Sequence, residues 1–104
     1  MKIFNKLVRD KIPEIIESNN EICKTKILSE NDYLIELNKK LQEEVGEYLA
    51  SGEIEELADI EEVLRAILDI KECSYDNFER IRKSKVDMRG AFKERIFLEY
   101  TDRK

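Results

Sequence analysis

The chain has 104 residues, of which 41% are charged and 41% hydrophobic, and its net charge is −5. This length suits one domain, the apolar content argues against disorder, and the acidic balance argues against a stable nucleic-acid complex. The absence of histidine excludes imidazole catalysis and histidine metal ligands, and no apolar run is long enough to cross a membrane.

The N-terminal part predicts one short helix and one short strand. Pro13 suits the first turn of a helix, so we expect a helix from Pro13 to about Ser18, ended by Asn19 and Asn20. Residues 23–28 alternate roughly between polar and apolar side chains, which is typical of a short strand.

Two long amphipathic helices are expected in the middle of the chain. Ser29 and the acids after it form a helix-start signature, Ser51-Gly52 ends the first helix, and the second begins near Glu53. Apolar residues recur every three or four positions in both: Leu34, Leu37, Leu41, Val45, Tyr48 and Leu49, then Leu57, Ile60, Leu64, Ile67 and Leu68. Because the loop between them is short, these helices should pack as antiparallel neighbours.

The last part predicts a further helix and a terminal strand. Ser74 is a suitable cap for a helix that runs to Gly90, and residues 95–100 resemble a strand that would pair with residues 23–28. The predicted fold is therefore a single all-α helical bundle over residues 1–104, with at most this small two-stranded sheet.

Two acidic clusters lie on the middle helices, Glu43, Glu44 and Glu47 on the first and Glu56 and Asp59 on the second. Residues three apart share a helical face, and both faces border the apolar stripes, so the carboxylates should meet beside the packing seam. Such carboxylates repel one another unless a cation lies between them. Oxygen ligands select hard cations, and a site that also takes phosphates favours Mg²⁺. The ordinary alternative is a solvated acidic face.

Gly46 lies among the acids of the first helix. Glycine inside a helix costs about 1 kcal/mol relative to alanine. Either another helix or a ligand approaches closely at this position, or the glycine has no role, and the sequence leaves both open.

The pattern Glu-Glu-x-x-Glu, followed after a short gap by Glu-x-x-Asp, resembles the all-α nucleoside triphosphate pyrophosphatase superfamily. That superfamily includes the MazG proteins, phosphoribosyl-ATP pyrophosphohydrolases and dimeric dUTPases. Residues 5–13, 89–92 and 96–98 resemble small stand-alone members of the group, so the resemblance spans nearly the whole chain. Ala91 departs from it, because such relatives often carry a second glycine there.

The resemblance implies Mg²⁺-dependent hydrolysis of a nucleoside triphosphate to a monophosphate and pyrophosphate. It implies a metal site of Glu44, Glu47, Glu56 and Asp59, with Glu43, Glu44 and Glu47 as the catalytic carboxylates. Because the chain has no histidine, one of these carboxylates must accept the proton of the attacking water, and the choice among them stays open.

Cations near both ends of the chain are candidate substrate-binding residues. Lys6 and Arg9 lie near the start, and Lys83, Lys85 and Arg89 lie near the end of the last helix. The ordinary alternative for each is a solvated surface cation, which near a helix C-terminus is favourable in itself.

Three functions remain open at this point. The first is a house-cleaning hydrolase for noncanonical nucleotides, and the terminal segments favour it. The second is a phosphoribosyl-ATP pyrophosphohydrolase of histidine biosynthesis, and the third is a non-catalytic dimerisation or regulatory module. We expect a nucleotide substrate as one partner. We also expect a homodimer or a higher homo-oligomer, because so short a chain has more apolar stripe than one bundle covers. Cys23 and Cys73 match no zinc or redox spacing, which is typical of reduced thiols in a cytoplasmic protein.

Overall fold

The computed structural model describes all 104 residues and consists of four α-helices joined by irregular segments. The helices are α1 (Ile12–Ser18), α2 (Glu30–Ser51), α3 (Ile54–Ile70) and α4 (Tyr75–Arg89), which confirms the all-α prediction. None of them combines the length and the apolar character that crossing a membrane requires. The chain forms two compact units, residues 1–73 with α1 to α3 and residues 74–104 with α4. That residues 1–104 act as one domain stays a prediction.

The ends of α2 and α4 lie where capping residues occur in the sequence. The hydroxyl oxygens of Ser29 and Ser74 each accept a hydrogen bond from the backbone amide three residues further on, at 3.2 and 3.1 Å. Gly52 ends α2 in the left-handed conformation, with φ of 69°, and its amide donates to the Tyr48 carbonyl at 2.7 Å. These bonds satisfy backbone groups that a helix end would otherwise leave unpaired.

Helices α2 and α3 form an antiparallel hairpin, because two residues connect them and they pack against each other. The buried apolar side chains of this seam are Leu37 of α2, 2% exposed, and Val63 of α3, 8% exposed. Glu44 of α2 is the third buried residue of the hairpin. The apolar stripe that we predicted for α3 did not include Val63. This residue follows Ile60 by three positions and therefore lies on the same face of the helix.

The two predicted strands are wrong. Residues 23–28 and 95–100 are irregular, so the small sheet that we expected between them does not form. Ile22 and Ile27 are almost fully exposed, and Arg95 has a φ of 55°, which interrupts an extended backbone. The alternation of side chains did not distinguish an irregular segment from a strand, because a strand also needs a neighbour to pair with.

Gly46 lies inside α2 with open space where a side chain would be. A Cβ atom at this position would meet no atom within 4 Å. Close approach by another helix of the same chain therefore does not explain this glycine.

Glycine-to-alanine substitutions at two positions should change the stability of the hairpin in opposite directions. Gly46→Ala should raise the free energy of unfolding by about 1 kcal/mol, because alanine is the better helix former and has room there. Gly52→Ala should lower it by roughly 1–2 kcal/mol, because a Cβ atom is strained in the left-handed conformation. Urea denaturation measures both, and a stabilising Gly52→Ala would contradict the left-handed cap.

Candidate metal centre

Three carboxylates from two helices meet at the seam of the hairpin. Glu44 of α2 and Glu56 and Asp59 of α3 each offer one oxygen, and these three oxygens lie within 4.8 Å of one another. Opposite ligands of Mg²⁺ are about 4.2 Å apart, twice the usual metal–oxygen distance. Adjacent ligands are only about 3 Å apart, so the three oxygens would move closer together to bind one such cation directly.

Glu44 is a buried carboxylate with an unsatisfied oxygen. Glu44 is 7% exposed, and its Oε2 atom is buried without a hydrogen-bond partner. Burial raises the pKa of Glu44, and the Glu47 carboxyl close beside it raises that pKa further. Burying a charged oxygen without a partner costs several times more than burying a paired one, and a bound cation would supply the missing partner.

The other two predicted carboxylates border this group. Glu47 is exposed and lies beside Glu44, but it is not one of the three residues whose oxygens converge. Glu43 accepts hydrogen bonds from Lys6 Nζ at 3.1 Å and from Lys40 Nζ at 3.4 Å. The Lys6 hydrogen bond is the main reason that the pKa of Glu43 lies below its ordinary value.

Three cations surround the five acids. Arg9 Nη2 donates to Asp59 Oδ1 at 2.7 Å, and Lys6 binds Glu43, so the segment before α1 contacts both helices of the hairpin. Lys40 Nζ also lies 3.5 Å from Oε1 of the buried carboxylate on α2. Five carboxylates and three cations leave a formal charge of −2, which one divalent cation would neutralise.

Lys40 is the site residue that the sequence analysis missed. It precedes Glu43 and Glu44 by three and four positions, which is the spacing at which side chains meet on a helix surface. That spacing alone would have identified it.

The remaining candidate cations lie in the second unit. Lys83, Lys85 and Arg89 are exposed side chains of α4, and Lys85 and Arg89 line one groove along this helix. Their predicted contact with a substrate phosphate stays a prediction.

Comparisons with known proteins found no match to this chain, whether with protein-family models, with curated proteins or with solved structures. The resemblance to the MazG-like superfamily therefore depends on the sequence motifs alone. The convergence of the three carboxylates is a separate observation that does not depend on that resemblance.

Replacing Glu44 by its neutral isostere should stabilise the metal-free protein in a pH-dependent way. Because folding raises the pKa of the Glu44 carboxyl, the folded state binds the proton of this group more tightly than the unfolded state does. The protonated carboxyl therefore contributes stability at low pH, and this contribution is lost as pH rises through the raised pKa. The advantage of Glu44→Gln over the parent should therefore be small near pH 4 and grow toward about pH 7.

Thermal melts in the presence of a chelator measure this difference. Glu55→Gln is the matched control, because it neutralises an exposed acid of α3. A Glu44→Gln variant that is less stable than the parent at neutral pH would contradict the unpartnered state of the buried oxygen.

Proposed function

We propose that this chain is a cytoplasmic, magnesium-dependent nucleoside triphosphate pyrophosphohydrolase that releases pyrophosphate by cleavage between the α and β phosphates. The observation that carries the proposal is the unpartnered Oε2 of Glu44, buried where three carboxylates converge. A solvated acidic face, the ordinary alternative, keeps its carboxylates in water and does not account for a buried one.

In this proposal, Glu44, Glu56 and Asp59 hold the ion through one oxygen each. Their all-oxygen set suits a hard cation, and Mg²⁺ is the ion that commonly combines a few carboxylates with substrate phosphates. Bound there, Mg²⁺ would neutralise phosphate charge, orient the substrate and lower the pKa of a coordinated water.

Glu47 is our candidate for the group that accepts the proton of the attacking water. It is exposed beside Glu44 and lies outside the three converging residues, so its carboxylate is accessible to solvent and to substrate. Glu43 is less suited to this role, because the hydrogen bond from Lys6 lowers its pKa and a carboxylate with a lowered pKa is a weaker base.

House-cleaning of noncanonical nucleotides is the substrate class that we favour, since residues 5–13, 89–92 and 96–98 resemble small stand-alone members of the superfamily. Phosphoribosyl-ATP is the second candidate. A nucleotide panel that contains both classes separates them, and a chain that hydrolyses none would favour the non-catalytic module.

Pyrophosphate release should depend on Mg²⁺ and on the convergent carboxylates. Glu56→Gln should reduce activity by about 100-fold or more, because even partners outside the ligand shell can cost up to about 100-fold. It should also reduce the rise in melting temperature on addition of Mg²⁺, which reflects binding to the folded state. Glu55→Gln, one position earlier on α3 and exposed, should leave both quantities unchanged.

The measurement is pyrophosphate release and thermal melting with and without Mg²⁺. Equal activity of the two variants on a nucleotide that the parent hydrolyses would contradict the metal centre. A parent without activity on the whole panel would contradict the enzyme proposal itself.

We also propose that the chain is a homodimer. Within residues 1–73 the buried apolar side chains are Leu37 and Val63, which is little core for a unit of this size. Large apolar side chains of the same unit are exposed instead: Ile3, Phe4, Ile22, Ile27, Leu49 and Ile54. A second copy of the chain would cover part of this surface through one symmetric interface.

Light scattering at micromolar concentration should give a mass of about twice the 12.4 kDa of one chain. The melting temperature should also rise with protein concentration, because association stabilises the folded state. A monomer mass together with a concentration-independent melting temperature would contradict the dimer.

A further inference from the structure

The segment before α1 is joined to the acids of the hairpin by two long-range ion pairs. Arg9 Nη2 lies 2.7 Å from Asp59 Oδ1, and Lys6 Nζ lies 3.1 Å from Glu43 Oε1. The partners are 50 and 37 positions apart in the sequence, so both pairs are tertiary contacts. Of the two acids, only Asp59 belongs to the convergent carboxylates.

We propose that Arg9 is an exchangeable counterion of the metal centre. In the metal-free protein Arg9 pairs with Asp59. It releases this carboxylate when a divalent cation binds, and its guanidinium then binds a phosphate of the substrate. This inference rests on the proposed function and adds to it a group that alternates between two anionic partners.

The ion pair of Arg9 is weak enough to be exchanged. The side chains of Arg9 and Asp59 are 57% and 38% exposed, and water screens ion pairs with such exposure. A divalent cation held by Asp59 would repel the guanidinium a few ångströms away, so binding of the cation weakens the pair of Arg9 with Asp59.

Release from Asp59 would leave the guanidinium beside the site while its backbone stays in place. The Arg9 carbonyl accepts a hydrogen bond from the Ile12 amide at 3.0 Å, and Lys6 keeps its pair with Glu43, outside the convergent group. The planar fork of a guanidinium matches two phosphate oxygens at once. A substrate phosphate bound at the metal centre would then replace Asp59 as the anionic partner of Arg9.

Mg²⁺ titration into metal-free protein tests the first half of the exchange. Arg9→Gln should bind Mg²⁺ up to about fivefold more tightly than the parent, which is the scale of an exposed ion pair. Lys39→Gln is the matched control, since it removes one positive charge from an exposed lysine that pairs with Glu36 on α2. It should leave Mg²⁺ affinity close to that of the parent.

Steady-state kinetics at saturating Mg²⁺ test the second half. Arg9→Gln should raise KM for the nucleotide by about tenfold, because a charge-assisted contact to phosphate is lost. Lys39→Gln should leave KM unchanged. In the parent, the NMR signal of the Arg9 Nε–H group should shift as Mg²⁺ is added, and this measurement needs no variant.

The outcomes separate this inference from the proposed function. If the parent binds Mg²⁺ and hydrolyses nucleotides while Arg9→Gln and Lys39→Gln bind Mg²⁺ equally, the exchange is overturned and the function stands. An Arg9 NMR signal that does not change at saturating Mg²⁺ overturns it as well. Tighter Mg²⁺ binding with an unchanged KM overturns the phosphate contact. A parent that binds no Mg²⁺ overturns both proposals.

Discussion

A carboxylate buried between two helices constrains the rest of this structure. The hairpin of α2 and α3 buries Leu37 and Val63, and at the same seam it buries Glu44. Burial disfavours the charged form of a carboxyl, and Glu47 and Asp59 add like charge beside it. The hairpin therefore holds a strained electrostatic arrangement next to a small apolar core.

The basic residues around the seam offset part of this repulsion. Lys40 does so from within α2, while Lys6 and Arg9 do so from the segment before α1. None of the three reaches the buried Oε2 of Glu44, so the compensation stays incomplete. Incomplete compensation around a buried carboxyl with a raised pKa is more typical of a site that binds a ligand than of one that serves stability.

The features that the sequence predicted well depend on residues that are close together in the chain. The caps at Ser29, Gly52 and Ser74 depend on a few neighbouring residues, and the paired acids depend on helical spacing, so both were visible before the structure. The strands at 23–28 and 95–100 failed because pairing is a property of two segments.

What the sequence could not predict depends on contacts over distance. The pair of Arg9 and Asp59 joins residues 50 positions apart, and no periodicity relates them. The position of Glu44 beside the apolar stripe predicted that it would lie near the seam. Whether each of its oxygens has a partner depends on the side chains that surround it.

The two-residue connection between α2 and α3 has a consequence for the order in which the protein is assembled. The convergent carboxylates lie within 16 residues of the chain, from Glu44 to Asp59. Closing so short a loop costs little chain entropy, and contacts between near neighbours in sequence form quickly. The carboxylates are thus brought together by a contact between near neighbours in sequence, whereas the cations of the N-terminal segment join them only after a much longer loop has closed.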